Sequence, residues 1–338
     1  MLVYSSFISG IQDIINTMVL EYGDVKRLLD GGIFYETKEP HNINRHPCFN
    51  NHFEVLSVKY ADISPDKFVV DITKKIEKMS LGVNPGSKTF RVVASVENQF
   101  VSLNKGNKTQ LEKRIEKRIH CTVDRAAADE EFWVLKRSEN IIFFMRRLNY
   151  HQHRTYTKVL RKGQLKPELV YIMNYLSEPN HKDNYLDPFA GSGALSMGLI
   201  ENFIKVQHIY AFDIDKESVV EMKRLQPLNV TFCNIACIGI DDIEEKLQAN
   251  SISKIVTDPP WGFYEKIDNI ELFYNKMLER FKAVSSVCGK VVLLAARTEA
   301  FEKALSDSDI QTEQVYHILV SGKKANIYVF HLNNNGEK

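Results

Sequence analysis

Short apolar runs alternate with amphipathic segments along the C-terminal half of the chain. The run from 255 to 257 and the run from 291 to 296 are apolar on both faces, which is typical of strands that helices cover on both sides of a sheet. The sequence predicts five such strands, at 184–186, 208–212, 229–232, 254–257 and 290–296. It predicts helices between and after them at 193–203, 216–226, 270–284 and 299–305. This alternation indicates strand–helix–strand units on a parallel sheet, the α/β class.

The end of this half follows a different pattern. Two strand-like runs, 314–320 and 325–331, flank a short polar segment that contains Gly322, which predicts an antiparallel hairpin. Added to the five parallel strands, the hairpin completes a predicted seven-stranded sheet.

The N-terminal half is less regular and predicts a mixed α+β domain. Predicted helices lie at 8–20 and 109–120, predicted strands at 32–35 and 89–96, and a predicted hairpin joins 132–135 to 140–145. The segment 67–79 is strand-like at its start and helical after it. We therefore predict two domains, residues 1–155 and residues 156–338.

Composition narrows the class of protein. The chain has 338 residues, of which 44% are hydrophobic and 26% charged, typical of a folded protein rather than a disordered one. Five unpatterned cysteines indicate a reducing compartment and no metal site. The sequence shows no signal peptide and no run near the ~20 apolar residues that span a bilayer, so we expect a cytoplasmic protein. It does not indicate an oligomeric state.

Basic residues are concentrated between Lys105 and Lys166. That segment holds sixteen Lys and Arg against seven Asp and Glu, although the whole chain carries a net charge of only +1. Its last part interleaves cations with Tyr150 and Tyr156, a combination that suits phosphate neutralisation and base stacking. The residues predicted to contact nucleic acid are Arg146, Arg147, Arg154, Lys158 and Arg161. The structural alternative for the charged helix is a solvated face.

A glycine turn follows the first predicted strand of the C-terminal half. Residues 187–193 read Asp-Pro-Phe-Ala-Gly-Ser-Gly, and Gly191 and Gly193 allow a tight turn that a nucleotide-like cofactor can approach closely. Asp187 is placed to meet an ammonium group. Asp213, at the end of the second strand, is placed to accept hydrogen bonds from a ribose diol. Asp215 is predicted to cap the helix that begins at Lys216.

Three further residues complete the predicted cofactor site. Asn234, which follows the third predicted strand, is a candidate contact for adenine through an uncharged side chain. Phe189 and Ile214 flank the two acidic motifs and are predicted to contact the cofactor as well. A dinucleotide enzyme would also place an acid near 213, but its three-glycine motif is absent.

The second motif, Asp258-Pro259-Pro260-Trp261, follows the fourth predicted strand. An exocyclic amine on a base is a poor nucleophile, and acceptors for its two hydrogens favour the pyramidal nitrogen that attacks a methyl group. Asp258 and the Pro259 carbonyl can be those acceptors, the two prolines fix their geometry, and Trp261 can stack on the base. The order of the two motifs predicts methyl transfer from S-adenosylmethionine to an exocyclic nitrogen, in a fold with the strand layout of class I methyltransferases.

With these residues in view, the chain resembles the THUMP-domain RNA methyltransferases, chiefly the branch that makes N2-methylguanosine in tRNA. The resemblance is carried by the motifs at 187–193, 212–215, 258–262 and 321–330, by the linker 163–169 and, more loosely, by 7–15, 31–34 and 89–95. It implies a Rossmann-like catalytic domain preceded by a ferredoxin-like and THUMP-like domain that grips the acceptor end of tRNA. Asn234 stands where that family has an acid, and the THUMP core departs from the family between 97 and 130.

These observations predict an S-adenosylmethionine-dependent RNA methyltransferase that acts on guanine N2 of tRNA. Three alternatives remain open at this stage. An adenine-N6 methyltransferase acting on DNA or ribosomal RNA would use the same Asp-Pro-Pro-Trp corner, and so would a glutamine-amide methyltransferase acting on protein. A non-catalytic RNA-binding module could also keep the fold.

Overall fold

The computed structural model describes residues 1–40, 42, 46–148, 164–203, 205–226, 233–262, 267–320 and 322–332. The described chain forms two compact units. The first contains residues 1–7, 12–40, 42 and 49–148; the second contains residues 8–11, 46–48 and the described residues from 164 onward. The predicted boundary between residues 155 and 156 lies outside the described residues and stays a prediction.

The first unit is built on a nine-stranded mixed sheet. Its strands are β1 (Leu2–Phe7), β2 (Asp24–Leu29), β3 (Gly32–Glu36), β4 (Phe49–Tyr60), β5 (Thr89–Val96), β6 (Gln99–Phe100), β7 (Thr122–Val123), β8 (Glu130–Lys136) and β9 (Ile141–Arg147). The sheet order is β2-β3-β1-β4-β9-β8-β5-β6, and β7 pairs with β5. The β5–β8 and β5–β7 pairings are parallel, and the other pairings are antiparallel.

Three helices accompany this sheet: α1 (Gln12–Leu20), α2 (Pro65–Lys75) and α3 (Lys105–Ile119). The Ser64 hydroxyl caps α2 by accepting from the Lys67 amide, and the Asn104 side chain caps α3. A short 3₁₀ segment, Ile76–Lys78, extends α2. The apolar faces of α2 and α3 pack with Phe90, Phe132 and Phe144 in one buried cluster, so these two helices cover one face of the sheet.

The second unit contains a seven-stranded sheet. Its strands are β10 (Asn184–Asp187), β11 (His208–Asp213), β12 (Cys233–Cys237), β13 (Ile252–Thr257), β14 (Ser285–Ala295), β15 (Thr312–Val320) and β16 (Lys323–Leu332). The order is β12-β11-β10-β13-β14-β16-β15. The first five strands are parallel, and β16 runs antiparallel to both β14 and β15.

The helices of the second unit are α4 (Pro167–Ser177), α5 (Ala194–Asn202), α6 (Lys216–Leu225), α7 (Ile270–Val284) and α8 (Thr298–Asp307). A 3₁₀ segment, Ile240–Glu245, follows β12. The largest core cluster joins α7 and α8 to the central strands through residues such as Tyr274, Phe301 and Tyr328, all fully buried. Within the described ranges, none of the helices combines the length and the apolar composition needed to cross a bilayer.

The structure confirms the predicted fold class: an α+β unit and a mostly parallel seven-stranded sheet. Four of the five parallel strands and the closing hairpin overlap their predicted positions. The third strand was predicted at 229–232, which lies outside the described residues; the described strand there is Cys233–Cys237. The strand-like start predicted for 67–79 is wrong, because α2 already begins at Pro65.

Candidate active site

The glycine turn lies between β10 and α5, at the carboxyl edge of the parallel sheet. Gly191 and Gly193 both have positive φ values, +52° and +86°, so the turn uses the conformational freedom that glycine provides. A side chain at Gly193 would lie 2.7 Å from Met222 Cγ, whereas a Cβ at Gly191 would meet no atom within 4 Å. The turn therefore leaves open space above Gly191, where a ligand can approach the backbone.

Asp213 ties this turn to the end of β11. Its Oδ2 accepts a hydrogen bond from the Gly191 amide at 2.7 Å, and its Oδ1 accepts one from the Asp215 amide at 2.8 Å. Asp215 accepts from the Ser218 amide at 2.8 Å and caps α6, as its position in the sequence predicts. The carboxylate of Asp213 thus fixes two loops, and each of its oxygens can accept further hydrogen bonds from a ribose diol.

Asp187, the last residue of β10, is almost completely buried. Its Oδ1 accepts a hydrogen bond from the Thr257 hydroxyl at 2.8 Å and one from the Phe189 amide at 3.3 Å. Burial raises the pKa of Asp187 to about 7, and the charge of Asp213 adds to the shift while the Thr257 hydrogen bond opposes it. A cationic ligand group placed beside Asp187 would compensate the carboxylate and favour its ionised form.

Asp258 begins the second motif directly after β13. Because Leu186 and Ile255 are paired in the parallel sheet, Asp258 projects from the same edge as Asp187. Its Oδ1 is buried and has no hydrogen-bond partner among the described residues. Burial raises the pKa of Asp258 well above its usual range, the nearby Trp261 side chain opposes the shift, and the charge of Asp187 reinforces it. The motif therefore presents a desolvated acceptor beside an indole ring.

Tyr274 and Arg297 are part of this site and were missed from the sequence. The Tyr274 hydroxyl is buried without a partner among the described residues, and the Arg297 Nε donates to the Trp261 carbonyl at 3.4 Å. Burial raises the pKa of Tyr274, the negative charge of Asp258 reinforces the shift, and the positive charge of Arg297 opposes it. Both residues lie in or beside helices with no motif of their own, so the sequence carried no signal for them.

The other two predicted cofactor contacts differ in their surroundings. Phe189 is half-buried, and its ring lies 5.8 Å from that of Phe273. Ile214 is 79% exposed at the end of β11, where an apolar side chain gains from being covered. Pro259 is buried, and Pro260 and Trp261 are half-buried. The structure therefore groups Asp187, Gly191 and Asp213 through direct hydrogen bonds or sheet pairing, and places Asp258 at the same edge.

The structure does not place Asn234 at this edge, which corrects the predicted adenine contact. Asn234 is the second residue of β12 and pairs with Tyr210, three residues before Asp213 and so roughly 10 Å toward the opposite end of the strands. The residue that pairs with Asp213 is Cys237, which is exposed. Sequence reasoning missed Cys237 because it ended the predicted third strand at residue 232, before the described strand Cys233–Cys237.

Arg146 and Arg147 also need correction as phosphate contacts. The Arg146 Nε donates to Glu54 at 3.0 Å, and the Arg147 Nη1 donates to Glu131 at 3.1 Å. Each arginine side chain is only 12% exposed. These cations are already compensated by buried or half-buried carboxylates. The other three predicted contacts, Arg154, Lys158 and Arg161, lie outside the described residues.

Fold and site together define the class of this protein. The strand order, the glycine turn after the first parallel strand and the acid at the end of the second are those of class I methyltransferases, and the arrangement of Asp187, Gly191 and Asp213 fits S-adenosylmethionine. Residues 154–326, just over half of the chain, match the family UPF0020, described as RMKL-like, methyltransferase domain. The chain belongs to this family and is an S-adenosylmethionine-dependent methyltransferase.

Solved structures with the same fold span nearly the whole chain. TrmN from Thermus thermophilus has a TM-score of 0.80 at 16% identity, with 98% of this chain and 99% of that chain covered. SMU.472, solved in complex with SAH, has a TM-score of 0.71 at 13% identity, with 99% of each chain covered. A protein from Listeria monocytogenes, described as a predicted N6-adenine-specific DNA methylase, has a TM-score of 0.70 at 13% identity, covering 97% of this chain and 95% of that chain. No curated protein sequence matches this chain.

Proposed function

We propose that this protein methylates the exocyclic amine of a nucleobase in RNA, and that its substrate is guanine N2 of tRNA. The observation that supports this reaction best is the buried Asp258 Oδ1, a hydrogen-bond acceptor without a partner among the described residues. An unsatisfied buried acceptor costs about 1–3 kcal/mol, so a site that keeps one gains when a donor arrives. The amine of a base, turned out of its stack, is such a donor.

The roles of the motif follow from this geometry. Asp258 and the Pro259 carbonyl each accept one hydrogen of the amine, which localises the nitrogen lone pair. Pro259 and Pro260 hold both acceptors in place before the substrate binds, and Trp261 stacks on the base. S-adenosylmethionine supplies the methyl group as an electrophilic sulfonium. The nitrogen loses its proton after the transfer, so no strong base is required at the site.

The proposed cofactor contacts involve three parts of the ligand: the amino-acid part, the ribose and the adenine. Asp187 holds the ammonium of the amino-acid part, and Asp213 accepts from the ribose hydroxyls. The backbone at Gly191 and Gly193 lets the ligand approach closely, with Phe189 and Ile214 as apolar neighbours. Cys237 takes the place of Asn234 as the residue beside Asp213 at the adenine side.

The first unit offers a surface that favours RNA as the substrate, and we propose that it is a THUMP-like domain. We define the basic helical surface as the exposed cations of α2, its 3₁₀ extension and α3: Lys67, Lys74, Lys75, Lys78, Lys105, Lys113, Arg114, Lys117 and Arg118. The exposed side chains of two acids on these segments are both paired: Glu77 with Arg114 at 3.2 Å and Asp71 with Lys59 at 3.2 Å. A surface with such an excess of positive charge attracts a phosphate backbone and repels a basic protein partner.

Reversing charge on this surface should weaken RNA binding. We expect Lys113→Glu/Lys117→Glu to reduce the magnitude of the salt dependence, d log K/d log[salt], by roughly 1.5, because each lost phosphate contact removes about 0.7–0.9. The measurement is RNA affinity by fluorescence anisotropy between ~50 and ~300 mM salt. Lys182→Glu/Lys223→Glu, which changes the net charge equally in the second unit, is the control. An unchanged slope in the first variant would exclude the basic helical surface as the contact.

Adenine N6 is the second candidate acceptor. It rests on the near full-length structural likeness to the Listeria monocytogenes protein described as a predicted N6-adenine-specific DNA methylase. The same two acceptors would position an adenine amine, so the corner does not distinguish the two bases.

Nucleoside mass spectrometry tests the proposed function. The protein and methyl-labelled S-adenosylmethionine are incubated in parallel with unmodified tRNA, ribosomal RNA and DNA. We expect label in N2-methylguanosine from tRNA. Label in N6-methyladenosine would keep the mechanism and assign the second candidate. Absence of label from all three nucleic acids would contradict the proposed substrate class.

A further inference from the structure

The sheet of the first unit has a second face, opposite the one that α2 and α3 cover. Side chains alternate along a strand, so the residues beside Phe90, Val92 and Phe132 point the other way. Sheet pairing aligns Arg91 with Glu131 and Val93 with Trp133 on that second face. Phe100 of β6 pairs with Ser95 and lies on the same face at the edge of the sheet.

Two aromatic rings meet at this edge. The Phe100 and Trp133 ring centroids are 5.8 Å apart, and Phe100 is 69% exposed, which makes it the most exposed aromatic side chain among the described residues. On its inner side, the Trp133 ring contacts Phe53 at 5.5 Å. The cluster to which Trp133 belongs is built from strand residues alone, so no described helix covers the pair. An exposed ring on a supported indole is a rigid apolar platform.

Charge beside the platform is positive. Glu131 is buried and accepts from Arg91 Nε at 2.8 Å, from Arg147 Nη1 at 3.1 Å and from Trp133 Nε1 at 2.9 Å. One carboxylate thus faces two guanidinium groups, so this network carries one positive charge in excess, of which the neighbouring Asp124 offsets a part at Arg91. The network also fixes the indole plane, because its N–H is held by Glu131. The Arg91 side chain remains 34% exposed next to the platform.

The platform is close in the chain to the basic helical surface. Phe100 is followed by only four residues before Lys105, the first residue of α3 and one of the exposed cations. Five residues of chain reach at most about 18 Å, or roughly three nucleotides of extended strand. A strand whose phosphates lie on the helices can therefore continue around the β6 edge onto Phe100.

We propose that Phe100 and Trp133 form a stacking site for an unpaired nucleobase of the RNA substrate, with Arg91 beside it for the neighbouring phosphate. The inference rests on the proposed function, since it takes RNA as the partner. Base stacking on aromatic side chains is tolerant of sequence and requires a single strand, because paired bases do not expose their faces. The excess positive charge favours this occupant over an apolar peptide or a second copy of the chain, neither of which supplies the matching negative charge.

Trp133 itself reports on the site. The chain has only two tryptophans, so Trp261→Phe leaves Trp133 as the single tryptophan, which red-edge excitation selects over the tyrosines. In that background we expect a mixed-sequence single-stranded RNA hexamer to quench the fluorescence, and a blunt RNA duplex to leave it nearly unchanged. Quenching by the duplex to the same extent, or by neither RNA, would contradict a stacking site.

Phe100→Ala, made in the otherwise unchanged protein, tests how much this aromatic side chain contributes to RNA affinity. Phe100 is exposed, so the variant should keep its melting temperature while its affinity for the hexamer falls about 5- to 150-fold. The salt dependence should stay constant, because no charge is lost, whereas Arg91→Gln should reduce it by about 0.7. Tyr60→Ala, which removes another exposed aromatic of the same sheet, is the matched control and should bind normally.

The outcomes distinguish a failure of the stacking site from a failure of the proposed function on which it rests. If the protein methylates RNA and Phe100→Ala binds the hexamer normally, the stacking site is wrong and the proposed function stands. If the wild-type protein neither binds nor methylates RNA, the proposed function fails and the stacking site with it. A change in molar mass on Phe100→Ala, measured by light scattering, would assign the platform to self-association instead.

Discussion

Asp258→Ala is expected to lower the rate of methyl transfer by at least about 10²–10³-fold, the usual cost of deleting one preorganised polar contact to a transition state. Affinity for RNA and for the cofactor should stay within a few-fold of the wild type. Affinity should change little because Asp258 contributes little contact area to either ligand. The rate should fall because Asp258 supplies the only carboxylate of the Asp-Pro-Pro-Trp motif. Single-turnover transfer to tRNA and equilibrium binding, measured on the same preparation, separate the two effects.

The pH dependence of turnover gives a second, independent readout. The pKa of Asp258 is raised well above its usual range, chiefly by burial, so the carboxyl of the free enzyme holds its proton to higher pH than an exposed aspartate does. A protonated carboxyl keeps one acceptor oxygen but loses the negative charge, so it is a weaker acceptor for the amine than the carboxylate is. We therefore expect kcat/KM to rise with pH through the pKa of Asp258, and Asp258→Asn to have a lower and flatter profile.

The control for these variants is Asp307→Ala, which removes an exposed acid near the end of α8 and should leave turnover unchanged. Survival of most activity in Asp258→Ala would show that the amine acceptor has been assigned to the wrong residue. Loss of activity together with a lower melting temperature would indicate a fold defect, which Asp258→Asn, with almost the same shape, should avoid.

The parallel sheet was predictable because burial on both faces leaves a strong sequence signal. The last parts of β13 and β14, residues 255–257 and 291–295, are almost entirely apolar, and the glycine turn and the Asp-Pro-Pro-Trp motif fix the positions of the loops after β10 and β13. Strand β4 (Phe49–Tyr60) carried no such signal, since its pattern mixes polar and apolar residues and most of its side chains are only half-buried. Its strand character comes from pairing with β1 and β9, which are distant in sequence.

The ion-pair partners of individual residues could not be predicted either, because they too come from distant parts of the chain. The run that contains Arg146 and Arg147 looks like an open basic segment, yet Glu54 lies 92 residues from Arg146 in the chain and still forms its ion pair. Local charge shows an excess of cations but not which of them fold against carboxylates. The helix α2, in contrast, had a usable signal in Ser64-Pro65-Asp66, a capping residue followed by proline at the first turn, and that signal was overlooked.

Asp187→Asn is expected to have opposite effects on cofactor binding and on the stability of the free protein. A charged hydrogen bond contributes about 1.5–3 kcal/mol, so loss of the carboxylate should weaken binding of S-adenosylhomocysteine, which carries the same ammonium, roughly 10- to 100-fold. Because the pKa of Asp187 is about 7 in the free protein, wild-type affinity should fall by up to about tenfold for each pH unit below 7. The variant should lack this dependence.

The stability of the free protein should change in the opposite direction to cofactor affinity in this variant. The pKa of Asp187 is raised from 3.8 to about 7, so between these values the folded state holds a proton that the unfolded state has released. The contribution of this group to stability is therefore full below pH ~4, declines as pH rises, and is lost above pH ~7. Asparagine keeps the acceptor for the Thr257 hydroxyl and cannot ionise. Free Asp187→Asn should accordingly melt several degrees above the wild type at pH 8 and close to it at pH 4.

Calorimetric titration and thermal melts across pH 4–8.5 measure both effects, and Asp183→Asn provides the control. Asp183 is a buried carboxylate just before the opposite end of β10, where it accepts hydrogen bonds from Asn180 and Ser253. Its replacement should leave cofactor affinity and the pH dependence of that affinity unchanged. A pH-dependent affinity that persists in Asp187→Asn would assign the ammonium to another acid of the same edge. A variant that binds weakly and also melts lower at pH 8 would show that the Asp187 carboxylate stabilises the free fold, contrary to its raised pKa.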